Sequence, residues 1–183
     1  MKTHGIDIQQ DGINITNLSD DSSLPNNDTT LITSKAFKDY VDDKVGSGCR
    51  VYRNSAQSIP SATWTKIEFN TEDYDNLGEY DHVTNHRFKA TKAGIYLVCS
   101  AVHILSVDDN SRNLISVYKN GSEYTRGLDF TVGAITNVSP FINVPVKMAA
   151  NDYVEIWVWQ NSAGARNTYT TANSVYMIVQ KIA

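Results

Sequence analysis

Two stretches of this chain carry apolar residues at both parities of a β-strand. In residues 94–105, Ile95, Leu97, Cys99 and Ala101 occupy one side. Tyr96, Val98, Val102 and Ile104, with Ser100, occupy the other. Residues 174–182 repeat the pattern near the C-terminus. Both faces of each strand are therefore expected to be covered, and a small sandwich has one interior to offer. The second face is expected to meet neighbouring subunits. We assign Tyr96, Val98, Val102 and His103 of the first run, with Tyr176 and Ile178 of the second, to that subunit contact.

The remaining pattern predicts further short strands at 50–55, 63–69, 86–89, 113–119, 122–129, 139–148 and 153–160, rich in Tyr, Val, Ile, Trp and Thr. Asn120-Gly121 predicts a two-residue hairpin turn, because both central positions of a type I′ turn need positive φ. Many short strands without intervening helices predict a sandwich or barrel.

The first part of the chain reads differently. Gly-Ile-polar-Ile occurs at Gly5 and again at Gly12, which suits short strands that must borrow a core from elsewhere. Residues 20–30 are polar and aperiodic and read as a linker. Residues 33–45 predict a helix: Thr33 or Ser34 caps it, Phe37, Val41 and Val45 recur at four-residue spacing, and Gly46 ends it. Its narrow apolar stripe suits a short coiled bundle of copies, or packing on its own domain. Gly46-Ser-Gly48 reads as a hinge. The expected division is 1–45 for anchoring and trimerisation and 50–183 for a globular all-β domain.

Composition narrows the possibilities. Across 183 residues the net charge is −4, with no local cluster of Lys and Arg, which argues against nucleic-acid binding. The N-terminus lacks the apolar core of a signal peptide, and no window approaches a membrane span, so assembly in a cytoplasm is expected. Cys49 reads as a linker thiol and Cys99 as a small buried apolar residue, unpaired in a reducing compartment.

Candidate chemistry is sparse. The chain has no nucleophile elbow, His-Glu-x-x-His, P-loop or Cys/His ligand set. The acidic run 72–81 holds carboxylates of the kind that glycoside cleavage pairs, and it or Asp108-Asp109 offers hard oxygens for calcium, but no spacing specifies a site and no cofactor is expected. His82 and His86 flank that run without an evident partner. In 153–160, Val154, Ile156 and Val158 form a core-facing parity, which turns Glu155, Trp157 and Trp159 outward as a stacking platform. The loop 161–173 brings Arg166 and Tyr169 as candidate polar and aromatic contacts beside it.

With these segments in place, residues 50–183 resemble the globular heads of complement component one, subunit q, and its tumour-necrosis-factor-like relatives. The resemblance rests on Phe88-Lys-Ala-Thr-Lys-Ala-Gly94-Ile-Tyr96, on Tyr118-Lys-Asn-Gly121, on Asn151-Asp152-Tyr-Val154 and on the closing strand from Ser174. It implies a ten-stranded jelly roll assembled as a tight homotrimer. Asn151 stands where the family usually has Gly, and the collagen-like stalk is absent. In its place, residues 29–43 resemble the helical lead-ins of bacteriophage fibre tips. Together these imply a non-enzymatic virion appendage, held to a virion protein by its N-terminal segment and binding a host surface glycan or receptor. A purely structural decoration and a glycan-acting enzyme are the alternatives.

Overall fold

The computed structural model describes Gly46–Ala183. The Ile-x-Ile echo, the linker and the helix expected at 33–45 lie outside the described residues. Within them, every regular element is a strand. In chain order they are β1 (Gly48–Tyr52), β2 (Ser58–Ile59), β3 (Thr65–Lys66), β4 (Thr71–Asp75), β5 (Tyr80–Asp81), β6 (Arg87–Lys89), β7 (Gly94–Val102) and β8 (Ile104–Val107). Then follow β9 (Arg112–Lys119), β10 (Ser122–Thr131), β11 (Thr136–Val138), β12 (Phe141–Met148), β13 (Tyr153–Gln160), β14 (Arg166–Asn167) and β15 (Val175–Lys181).

Two antiparallel sheets face each other as a jelly-roll sandwich. The first runs β12-β7-β15-β1-β4, and the second runs β10-β9-β13-β6-β5 with β3 also on β13. The small pairs β8–β11 and β2–β14 close one end. Inward residues alternate as the pleat demands: Val51, Tyr96, Val98, Met177 and Val179 from the first sheet meet Phe88, Ile115, Val117, Ile156 and Val158 from the second. Phe88 and Tyr96 cross the interior at 5.6 Å. Burial of each such side chain is worth about 1.5–3 kcal/mol.

This arrangement corrects the assigned subunit contact. Tyr96, Val98 and Val102 are completely buried in the interior of a single chain, so they cannot meet a neighbour. His103 lies between β7 and β8, at the sandwich end. The outward parity of β7 is the other set, Ile95, Leu97, Cys99 and Ala101, with Tyr176 and Ile178 beside it on β15. Both runs are apolar on both sides, as expected, but which side faces inward was inverted for β7.

Several other expectations shift. Cys49 is a fully buried core residue of β1, and burial pushes its thiol well above its ordinary pKa. Cys99 is half-buried on the outward face instead of inside, and both thiols are free. The proposed hinge belongs to the domain: Gly48 opens β1, and buried Ser47 donates its hydroxyl to Glu79 at 2.5 Å. The run 94–105 breaks at His103, where the chain leaves the first sheet and Ile104 pairs with β11 instead. The acidic stretch contains strands β4 and β5, each at a sheet edge, where charged side chains point to solvent and protect against edge pairing.

The turns match their residues. Asn120 and Gly121 have φ of 52° and 80°, as the hairpin between β9 and β10 requires. Asn151, at φ 73°, uses the tolerance of Asn for the left-handed region at the position where the resembling family has Gly. Beside it Asp152 accepts from Lys119 Nζ at 2.9 Å, Asn120 Nδ2 at 2.8 Å and the Ala149 amide at 2.8 Å. These donors, Lys119 foremost, hold its carboxyl down to about 2.

The edges of the two sheets converge at Gly127 on β10, where an added Cβ would lie 2.7 Å from the Phe141 carbonyl and 2.8 Å from Ile142 Cβ. Gly127→Ala is therefore expected to destabilise the domain by about 1–3 kcal/mol in denaturant unfolding. Gly133→Ala, which would meet nothing within 4 Å, should change stability by less than about 0.5 kcal/mol.

Candidate functional site

The outward face of the second sheet is organised by β13. Val154, Ile156 and Val158 are buried in the sandwich, and Trp157 and Trp159 stand half-buried on the opposite side. Register then sets their neighbours. On β9, Tyr118 lies opposite Glu155, Ser116 opposite Trp157 and Leu114 opposite Trp159; on β3, Lys66 lies opposite Trp157.

The result is an aromatic shelf. Tyr118 stacks on Trp157 with centroids 4.7 Å apart and planes 25° from parallel, and Trp64 tilts against Tyr118 at 6.2 Å. Arg126 of β10 lies over the Trp64 ring at 5.4 Å. One face of Trp157 is thus already occupied by Tyr118, so the shelf presents the outer surfaces of a joined cluster rather than two free indoles. Burial pushes the Tyr118 phenol up, with the Glu123 charge adding to it.

Charges on the shelf are matched. Glu155, although outward in parity, is only 6% exposed, because Lys66 Nζ and Trp157 Nε1 both donate to it at 3.2 Å. Lys66 also donates to the Asn85 carbonyl at 2.9 Å. Arg126 makes a two-pronged contact with Glu123 at 2.8 and 2.9 Å, and these bonds hold the Glu123 carboxyl below its ordinary range.

The remaining candidates are elsewhere. Arg166 is committed to an ion pair with Asp108, whose other oxygen accepts the Ala163 amide at 2.6 Å. Tyr169 packs its ring 5.4 Å from His103, and His103 Nδ1 lies 2.8 Å from Ser139 Oγ, at the end where β7 gives way to β8. Of the five residues expected to form one surface, Glu155, Trp157 and Trp159 share a strand face, whereas Arg166 and Tyr169 serve local contacts.

The acidic stretch and its flanking histidines make individual bonds. His82 Nδ1 meets Glu72 at 2.6 Å, Asp73 meets Arg50 at 2.8 Å, and Asp75 accepts the Tyr80 amide at 2.7 Å. Asp81 accepts the amides of Val83, Thr84 and Asn85 and the Asn85 side chain; these bonds, the Thr84 amide first, hold its carboxyl well below the usual range. His86 Nδ1 lies 3.2 Å from the Phe69 carbonyl. Among the described residues no three His, Cys, Asp or Glu side chains gather as metal ligands.

The sequence does not mark Trp64, Tyr118, Lys66 and Arg126 as site residues. They reach the shelf only through the pairing of β3, β9 and β10 around β13, and strand register across a sheet is not written in local periodicity.

No protein-family profile matches the chain. Solved structures do. Eiger TNF from S. frugiperda is 12% identical with a TM-score of 0.55, over 75% of this chain and 93% of that one. Murine APRIL is 12% identical with a TM-score of 0.56, over 75% and 99%. The globular domain of zebrafish complement 1qA is 10% identical with a TM-score of 0.55, over 75% and 98%. The described domain therefore has the jelly-roll fold of tumour-necrosis-factor-like and complement-head domains.

In sequence, the chain is similar to two proteins of Bacillus subtilis strain 168. It is 31% identical over 122 residues to XkdV of the phage-like element PBSX, covering 63% of this chain and 18% of XkdV. It is 32% identical over 113 residues to the uncharacterized protein YqcC, covering 59% of this chain and 31% of YqcC. The chain spans less than a third of the length of either relative.

The shelf is expected to behave as one energetic unit. In a double-mutant cycle of Tyr118→Ala and Trp157→Ala, followed by denaturant unfolding, the coupling should be about 0.5–1.5 kcal/mol, as for other aromatic pairs. Additive effects would show that the two rings contribute independently.

Proposed function

We propose that this chain is a non-enzymatic component of a phage-type particle, a homotrimer that presents the outward face of the second sheet to a glycan or protein of the host surface. Residues 1–45 join it to a virion protein in this reading. The observation that carries the binding role is the shelf of Trp64, Tyr118 and Trp157, a cluster of large rings on a solvent-facing sheet with its charges already paired. The name of XkdV as part of a phage-like element supports the particle setting. The commitment of the acidic side chains to structural partners supports binding over catalysis.

Assembly as a trimer is supported by the first sheet. Its outward rows read Phe141, Ala101, Tyr176 and Tyr52, and then Asn143, Cys99, Ile178 and Arg50. Phe141 is 50% exposed in the single chain, and at the adjoining sandwich edge Tyr124 of β10 is 46% exposed. An apolar sheet face and an apolar edge on one chain fit a head-to-tail contact that closes as a ring. Three linked shelves then multiply a modest single-site affinity by ~100-fold or more.

Labelled full-length chain should adsorb to host cells, beginning with Bacillus subtilis, the source of both curated relatives. Replacing Trp157 and Trp159 together by Ala should abolish adsorption while the trimer persists. Ile178→Asp, which sets a charge beside Cys99 on the outward face of the first sheet, should cut adsorption by ~100-fold through loss of multivalency. Full adsorption by a folded trimer lacking both indoles would move the binding surface elsewhere, and absence of adsorption by the wild type to any host would favour structural decoration.

A further inference from the structure

A second feature on the same face has a different chemistry. A cleft of about 400 Å3 lies over β5 and β6, bordered among others by Glu79, Asp81, Asn85, Arg87, Lys89 and Asn151. Its two carboxylates are spent on the protein. Glu79 is 4% exposed; one oxygen accepts Ser47 Oγ, and the other accepts the Thr91 amide and hydroxyl at 2.7 and 2.6 Å. Both oxygens of Asp81 are taken by the turn at 83–85.

Its two cations are not. Among the described residues, neither Arg87 nor Lys89 has a carboxylate within ion-pair distance or an acceptor for its side chain. The Arg87 guanidinium sits over the Tyr153 ring, 4.2 Å from its centroid, which fixes the cation while leaving its N–H edge unbonded. Lys89, two residues on and directly opposite Tyr153, is exposed on the same side of the strand. A fixed guanidinium beside an exposed ammonium suits a carboxylate or a phosphate.

The cleft and the shelf are continuous. Tyr153, Glu155 and Trp157 alternate along the outward side of β13, and about 13 Å separates the first from the last. Lys66 bridges them, since it donates both to Glu155 beneath the shelf and to the carbonyl of Asn85 at the cleft. The shelf has its charges paired, whereas the cleft keeps two unpaired cations. A ligand lying along this face would meet ring faces at one end and anion-seeking donors at the other. A saccharide chain uses both, because its apolar ring faces stack on aromatics. An acidic polypeptide would engage the cations alone.

We propose that Arg87 and Lys89 bind the carboxylate or phosphate group of an acidic saccharide whose neighbouring rings lie on Trp157 and Tyr118. This rests on the reading of the outward face as the host-binding surface, and it narrows the ligand to an acidic glycan.

The test is calorimetric titration of the full-length chain with a glucuronate-containing hexasaccharide, a glycerol-phosphate-substituted hexasaccharide, a carboxyl-reduced neutral hexasaccharide and a deca-glutamate peptide. At least one acidic saccharide should bind about tenfold or more tightly than the neutral one, and the arm that does so identifies the group. That preference should disappear in Arg87→Gln/Lys89→Gln. It should also disappear in Lys89→Glu, an exposed change that leaves the fold intact, and shrink as ionic strength rises. Equal binding of acidic and neutral saccharides, or a preference that survives in folded variants, overturns the proposal. Binding of deca-glutamate without binding of any acidic saccharide overturns it in favour of a protein partner. If the neutral saccharide binds the wild type but not Trp157→Ala, and acidity adds nothing, the cleft proposal fails and the host-binding face stands. If no saccharide binds, the acidic-glycan proposal fails, and the adsorption of the chain to host cells decides the host-binding reading separately.

Discussion

The constraint on which the rest depends is the presence of two apolar faces on one sheet. A sandwich buries the inward sides of β7 and β15, and Tyr96, Val98, Met177 and Val179 are buried in that interior. The outward sides carry Leu97, Cys99, Ala101, Tyr176 and Ile178, residues that a solvated sheet face would replace with polar ones. A sandwich with one solvated face would not need this second apolar face. In the proposed trimer it is the face that copies of the chain would cover, which leaves the other sheet for contact with anything else. The second sheet, with Trp157, Tyr118 and Arg87 on its outward side, is the one left.

The two outward faces differ in how they treat charge. On the first sheet Arg50 is drawn to the margin, toward Asp73 and the Ala172 carbonyl, and the centre is apolar. On the second, polar groups are built into the surface in matched pairs beneath and around the rings, with Glu155 almost covered by Lys66 and Trp157. A buried ion pair of that kind contributes little net stability, but it holds side chains in one geometry. Such fixed geometry suits recognition, and the carboxylates of the acidic run 72–81 are each bound to a backbone amide, a cation or a histidine.

Much of the fold was legible because strand period is local. The strands expected at 94–105, 113–119, 139–148 and 153–160 correspond to β7, β9, β12 and β13, apart from the break at His103, and the Asn120-Gly121 turn and the outward parity of Trp157 and Trp159 likewise follow from residue type and strand period. The side of β7 that faces inward was not legible, because apolar residues at both parities leave no local difference between the core side and the outward side. Edge strands such as β4 were hidden by the charges that protect them, and β2 and β14 are too short to have a period. The shelf was half visible: its β13 residues are written in one strand, but Trp64, Tyr118 and Lys66 join it through long-range register. Arg166 and Tyr169 were placed near it by sequence proximity alone, and the fold sends them to other partners.

The central claim is that copies of this chain cover the outward face of the first sheet. The most direct measurement is sedimentation equilibrium of the full-length chain at micromolar concentration. A single species of three times the 20.3 kDa chain mass that persists on dilution is expected. A stable, folded species at the mass of one chain would contradict it, because Leu97, Ile178 and Tyr176 would then stand in water at no cost to the fold.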